Sequence, residues 1–180
     1  MRLPSDVELK RGEVELFGLQ PNDVTDEYVA WLNDPAVNRF LESRFVAHTL
    51  ESTQRFVQAV VDSGDSILFG IRYVPQCRHV GNIKLGPIDR HHLRAEIGLL
   101  IGDRTVWGRG IAANAIELAA RYAFDALGLL KVTAGCYAGN AGSRRAFEKA
   151  GFVVEGIRRR HFLLDGAPED GILLARWRDT

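Results

Sequence analysis

Two glycines flank an arginine in Trp107-Gly108-Arg109-Gly110-Ile111-Ala112, between a run that alternates like a strand and an alanine-rich stretch with helical spacing. Glycine lets backbone approach a ligand closely. The first turn of a helix adds amides without partners at the positive end of its dipole. Together they suit a phosphate or pyrophosphate, with the backbone of Gly108, Arg109, Gly110, Ile111, Ala112 and Ala113 as the cradle. A plain strand-to-helix turn would use the same glycines for geometry alone. The letters also fit Gly108-x-Gly110-x-x-Ala113, a dinucleotide-binding fingerprint. That fingerprint needs an acidic residue roughly 20 positions on, at the end of the next strand, and the strand-like run Leu130 to Cys136 ends without one.

Upstream, Ala95 to Ile101 alternates as a strand. Glu96 shares a face with Gly98 and Leu100, opposite Ala95, Ile97 and Leu99, so its carboxylate points away from the aliphatic row. It could accept a proton, or it could form an ion pair with Lys84 or Arg94. His91 and His92 have an intrinsic pKa suited to base catalysis, but Asp89-Arg90-His91-His92 reads as a polar connecting loop. Downstream, Asn140 stands where it would cap a helix, with Ser143 one turn later.

The elements that must position these residues are legible from periodicity and punctuation. Val14 to Leu19 reads as a first strand. Helices are expected over Asp26 to Asn33, from Pro35 in a favoured first-turn position, and over Leu50 to Asp62 behind Thr49 as cap. Strands follow at Ser66 to Val74, Val80 to Ile88 and Ala95 to Ile101. A helix from Ile111 to Leu127, a strand at Leu130 to Cys136, a second helix and a closing hairpin turning at Asp165-Gly166 complete the order. The order is that of an α/β layered fold, a mixed sheet with helices on both faces.

Composition narrows the function. At 180 residues the chain supports one domain, 1–180, with a real core. With 23 basic and 23 acidic residues its formal charge is zero, which gives no electrostatic support to a nucleic-acid or membrane-surface role. Cys77 and Cys136 stand in no metal or redox spacing, so no metal is expected, and each reads as a buried neutral thiol. Met1 to Lys10 lacks the apolar segment of a leader, and no run reaches the roughly 18 apolar residues of a membrane span. A cytoplasmic protein is expected.

The loop and its sequel resemble motifs A and B of the GNAT superfamily of acetyl-coenzyme A-dependent N-acetyltransferases. That family's (Gln/Arg)-x-x-Gly-x-(Gly/Ala) loop holds the cofactor pyrophosphate; here Trp107, Gly110 and Ala112 take the three positions. The Trp departs from the general pattern, but Trp-Gly-(Lys/Arg)-Gly-x-Ala is typical of the branch with the Rim-type ribosomal-protein acetyltransferases. Asn140-Ala141-Gly142-Ser143 through Glu148-Lys149-Ala150-Gly151-Phe152 is similar to the family's Asn-x-x-Ser…Glu-Lys-x-Gly-Phe segment. The resemblance implies a mostly antiparallel sheet with a splayed strand pair. A bulge there would expose the amides of Leu100 and Ile101 to the pantetheine and thioester carbonyl. It also implies acetyl-coenzyme A as acyl donor, Glu96 as the proton acceptor for the amine, Asn140 as a catalytic-centre residue that orders the cofactor arm or a catalytic water, and Ser143 on the same arm. Many members carry Tyr at the position of Phe147, donating a proton to the leaving thiolate. Phenylalanine cannot, so Tyr137 or water would have to take the role.

Trp31 to Arg44 resembles a stretch of GNAT proteins that acetylate an amino group on a nucleotide-linked sugar. For such an acceptor Asn33, Asn38 and Glu42 would meet hydroxyls, and Arg39 and Arg44 would meet phosphates. Alternatively, Asn33 and Asp34 merely cap a helix and the charges form a solvated face. Arg158-Arg159-Arg160-His161, if a regular strand, sends its side chains to opposite faces and reads as a solvated basic edge. The expected partner is therefore a small-molecule amine, with a protein N-terminal amine, a non-catalytic acyl-coenzyme A sensor and a homodimer as open alternatives.

Overall fold

The alternation of Val14-Glu15-Leu16-Phe17-Gly18 buries Val14 and Leu16 and makes a strand, β2 (Val14–Gly18), paired with a short β1 (Lys10–Arg11). These and all later elements are those of a computed structural model that describes residues 9–178. Most of the Met1 to Lys10 stretch read for a leader lies outside the described residues.

Helix α1 (Asp26–Asn33) begins where Thr25 accepts the Tyr28 amide, and α2 (Pro35–Asn38) where Asp34 accepts the Ala36 amide. In α3 (Leu50–Ser63) Thr49 and Ser52 bond each other's backbone in a reciprocal cap. Strands β3 (Ile67–Tyr73), β4 (Arg78–Leu85) and β5 (Arg94–Ile101) follow. Then come α4 (Ile111–Arg121), β6 (Lys131–Tyr137), α5 (Ala141–Lys149), β7 (Val153–Leu164) and β8 (Ala167–Trp177). The sheet has eight strands in the order β1-β2-β3-β4-β5-β6-β8-β7, antiparallel except between β5 and β6. A doubly wound dinucleotide fold would need the opposite balance.

Both faces are covered. One buried cluster joins Leu16, Ile71, Ile83 and Ile97 of the sheet to Ile116 and Ala119 of α4 and Phe147 of α5. The other joins Leu68 to Tyr28, Trp31 and Leu32 of α1 and Val57 and Val60 of α3. Each fully buried Leu, Ile or Phe contributes about 1.5–3 kcal/mol, and an exposed ion pair about 0–1. The two-sided core therefore fixes the sheet, and surface charges adjust it.

Several boundaries differ from the sequence reading. Helical structure does reach toward Leu127, but Tyr122–Ala126 is a wider π turn that sends three consecutive side chains, Tyr122, Ala123 and Phe124, into the core. Cys136 is buried as expected, whereas Cys77 is exposed in a left-handed turn. The hairpin turns at Asp165-Gly166, with φ of 51° and 80°, as a two-residue primed turn requires. The 158–161 run is not a regular strand. Between the rungs Arg158–Gly171 and Phe162–Glu169, residues 159–161 bulge opposite Asp170. The Asp170 carboxylate accepts the Arg160 amide and the Arg159 guanidinium, each at 2.7 Å.

Candidate active site

Strands β5 and β6 pair at only three rungs, Arg94–Lys131, Ala95–Val132 and Glu96–Thr133. Past Glu96 the two strands separate, and Glu96 stands at the vertex of the fork. No bulge in β5 causes this, since its register with β4 is unbroken from Ile97–Leu85 to Ile101–Gly81. The irregularity comes later, where the amides of Gly102 and Asp103 share the Val80 carbonyl at 2.9 and 3.1 Å.

The register also corrects which amides face the gap. Gly86 donates to the Glu96 carbonyl at 2.8 Å, so by antiparallel alternation Glu96, Gly98 and Leu100 turn their backbone groups toward β4. Ile97, Leu99 and Ile101 turn theirs toward the fork. Ile101 is thus on the open side and Leu100 is not.

A cavity of about 300 Å³ fills the fork. Glu96, Gly98 and Leu99 line it from β5, and Gly135, Cys136 and Tyr137 from β6. Asn140, Ser143 and Phe147 close it from α5; Phe40, Leu41 and Glu42 from the segment after α2; and Phe162 from β7. At Gly98 and Gly135 a Cβ would meet no atom within 4 Å, so both look onto open space that a narrow chain could occupy. The β7 bulge turns Phe162 onto Tyr137, rings stacked 3.9 Å apart at 15°. Sequence reasoning passed over Phe40, Phe162 and Gly135; a glycine inside a strand was the one available signal.

The Glu96 carboxylate makes no hydrogen bond or ion pair among the described residues. Arg94, one of its expected partners, bonds Asp89 at 3.3 Å. His91 and His92 donate their amides to the same Asp89 carboxylate at 3.1 and 2.9 Å, which builds the β4–β5 loop, and neither lines the cavity. Asn140 caps α5, accepting the Ser143 amide at 3.1 Å, while facing the cavity. Burial pushes the Cys136 thiol above its ordinary value, so it stays neutral. Phe147 is buried edge-on against Phe152 at 5.1 Å. The Tyr137 hydroxyl donates to Glu42 and accepts from Arg44 at 2.9 Å.

At the far end of β5, the Trp107 indole donates to the Ile101 carbonyl at 2.9 Å. That is one of the fork-facing groups β6 leaves unpaired. Gly108 and Gly110 follow with φ of 77° and 79°, and a Cβ on either would meet nothing within 4 Å. Gly110 caps α4, so the first-turn amides of Ile111, Ala112 and Ala113 have no carbonyl one turn back. This open, donor-rich cradle fits a pyrophosphate. The Arg109 side chain is committed to the Tyr73 hydroxyl at 3.3 Å, leaving its backbone to the loop. Asp103 anchors the approach: buried, it accepts from Thr105 and, at 2.7 Å, from Arg78.

Asn33, Asn38, Arg39 and Arg44 come together around a second, outer groove of about 670 Å³. Each already has a partner. Asn33 holds His48 through both its amide groups and bonds the Val29 carbonyl. Buried Asn38 donates to the Leu32 carbonyl at 2.8 Å. Arg39 pairs with Asp165 at 2.7 Å. Arg44 bonds the Leu41 and Leu163 carbonyls as well as Tyr137, and lies 3.6 Å from Glu42.

A family described as acetyltransferase (GNAT) domain matches residues 14–153. The chain belongs to the GNAT acetyltransferases. It is 35% identical over 132 residues to "Probable N-acetyltransferase YjcK" of Bacillus subtilis, across 71% of this chain and 72% of that one. It is 31% identical over 103 residues to the spermidine N(1)-acetyltransferase of Escherichia coli, 56% and 55% of the two chains. Its fold matches that of the Vibrio cholerae spermidine N-acetyltransferase in complex with CoA and spermine, with a TM-score of 0.81 at 20% identity over 92% and 95% of the chains. It also matches the ribosomal-protein-S5-alanine acetyltransferase of Vibrio fischeri, with a TM-score of 0.77 at 20% identity over 97% and 98%. Among the described residues no helix is long and apolar enough to cross a membrane, and no group of metal-ligating side chains assembles.

Proposed function

We propose that this GNAT acetyltransferase moves an acetyl group from acetyl-coenzyme A to the primary amine of a small aliphatic acceptor by direct attack. The observation that carries this reading is the placement of Glu96 at the vertex of the fork, in one cavity with Asn140 and Ser143. The residue 108–113 loop holds the pyrophosphate, and the fork admits the pantetheine between β5 and β6. Ile101 and Leu99 offer amides to it. Glu96 takes the proton that the attacking amine loses.

Two carboxylates, Glu42 and Glu96, and four aromatic rings, Phe40, Tyr137, Phe147 and Phe162, line the cavity. Carboxylates and ring faces attract an ammonium group, and an alkyl amine arrives as one at neutral pH. The spermidine N(1)-acetyltransferase of E. coli, a relative of this chain, agrees by its name with such an acceptor. A nucleotide-linked amino sugar, implied by the Trp31 to Arg44 resemblance, has less support because Arg39 and Arg44 already have partners within the chain. The Rim-type loop favours a protein N-terminal amine as the second reading.

A thiol-release screen with acetyl-coenzyme A across linear diamines, polyamines, nucleotide-linked amino sugars and N-terminal peptides tests the proposal. Turnover is expected to be fastest with a linear amine. Acetyl-coenzyme A binding without turnover on any amine would make the chain a sensor.

A further inference from the structure

Acetyl transfer breaks a C–S bond, and the thiolate that leaves must gain a proton. From position 147 of α5 a side chain faces the cavity, but Phe147 carries no proton to give. A phenol lines the same cavity from the other limb of the fork: Tyr137, the last residue of β6. We infer that Tyr137 is the catalytic proton donor to the departing thiolate, with Glu42 and Arg44 as the residues that position its hydroxyl. This assignment rests on the acetyl-transfer reading of the cavity.

The ring cannot swing. Phe162 stacks on one face at 3.9 Å, and Phe40 leans against it at 5.6 Å. Charge fixes the hydroxyl. Its proton points to the Glu42 carboxylate, and its oxygen accepts the Arg44 Nη1–H at 2.9 Å. A carboxylate acceptor keeps the proton on the phenol in the resting enzyme, and a guanidinium beside the oxygen stabilises the phenolate once that proton has left. Burial, and after it the bond to Glu42, hold the phenol above its ordinary pKa, against the pull of Arg44. The phenol is therefore an acid at neutral pH, not a base.

The step balances. The bound ammonium first loses one proton to water; the neutral amine nitrogen then bonds to the carbonyl carbon and yields a second proton to Glu96. The C–S bond breaks, the Tyr137 O–H turns from the Glu42 carboxylate to the departing sulfur, and the sulfur takes its proton. Water then removes the proton from Glu96 and returns one to Tyr137, whose neighbour Glu42 has a side chain 65% exposed. The titratable and charged groups around the phenol are Glu42 and Arg44 on the 42–45 turn, Glu96 on β5, Cys136 on β6 and His161, packed on Phe162.

The test is steady-state thiol release over a pH series for the parent, Tyr137→Phe, the double variant Tyr137→Phe/Phe147→Tyr, and Glu42→Gln. Tyr137→Phe should lower kcat by about a hundredfold, leave the KM for acetyl-coenzyme A within about twofold, and abolish the alkaline fall of kcat. The double variant, with a hydroxyl restored from α5, should recover tenfold or more. Glu42→Gln should move the alkaline limb to lower pH, because the carboxylate that holds the proton is gone. A kcat within threefold of the parent in Tyr137→Phe, or a loss that keeps the alkaline limb and gains nothing from Phe147→Tyr, overturns the assignment. Absence of turnover in the parent on every amine overturns the acetyl-transfer reading and this assignment together; normal parent turnover retained in Tyr137→Phe overturns this one alone.

Discussion

Glu96 and Thr133 form the last rung of the only parallel ladder among the described strands, and the cavity opens past that rung. Before it, β5 has backbone partners on both sides. After it, Leu99 and Ile101 keep β4 for a neighbour and lose β6. The carboxylate is therefore held by rigid sheet at the point where a thioester threaded between the strands would end.

The first prediction follows from that position. Glu96→Gln preserves shape and removes the proton acceptor, so turnover should fall by a factor of about a hundred or more. Acetyl-coenzyme A affinity, measured by calorimetry, should barely change. Parent-level turnover across the pH range would reassign the proton to water.

The loop offers the second. Gly110 sits at φ 79° with open space where a side chain would be, so Gly110→Val both strains the backbone and fills the approach of a pyrophosphate to the α4 amides. Acetyl-coenzyme A binding should weaken at least tenfold, with far-ultraviolet circular dichroism unchanged. Dephospho-coenzyme A, whose pyrophosphate is intact, should bind the parent; its failure to bind would show that the loop reads another part of the donor.

What the sequence disclosed was local. Thr49 as a cap, Pro35 opening a helix and Asp165-Gly166 as a turn each depend on neighbours within about four residues, and the GNAT loop is a contiguous string. The interior of the site is not local. Arg44 looked free to meet a phosphate because its partners Tyr137 and Leu163 lie 93 and 119 residues away. The bulge that aims Phe162 at Tyr137 exists because Asp170, across the hairpin, holds the Arg160 amide. The fork has no sequence mark of its own, since pairing ends after Glu96 while the apolar alternation of β5 continues.

Asp103 gives a prediction on stability. Burial alone would raise its carboxyl pKa, but the Thr105 hydroxyl and amide and the Arg78 guanidinium outweigh burial and hold it below the ordinary value. A carboxyl depressed in the folded state contributes stability above its unfolded pKa of about 3.9 and loses it as pH falls through the folded value. Asp103→Asn keeps an oxygen for Thr105 and removes the charge facing Arg78. It should cost about 1.5–3 kcal/mol at neutral pH. Melting curves of parent and variant should converge on acidification from about pH 5 to pH 3; parallel curves would show that Arg78 does not stabilise the charge.

The last prediction addresses the acceptor through Arg39. Its pair with Asp165 is exposed on both sides, at 56% and 69%, so breaking it should cost about 0–1 kcal/mol and leave the fold standing. If the acceptor is a linear amine seated between Glu42 and Glu96, nothing in it needs a guanidinium at the outer groove. Arg39→Ala should then change the KM for a diamine by less than about twofold. A nucleotide-linked sugar would behave differently. Its phosphates would draw Arg39 away from Asp165, and losing one charge-assisted bond of about 1.5–3 kcal/mol would raise its KM roughly tenfold or more. Arg39→Ala and the parent, compared on a diamine and on a nucleotide-linked amino sugar, separate the two. If the nucleotide sugar is the better substrate of the parent and loses tenfold in the variant, the aliphatic-amine reading is wrong, and the outer groove is where the acceptor's phosphates lie.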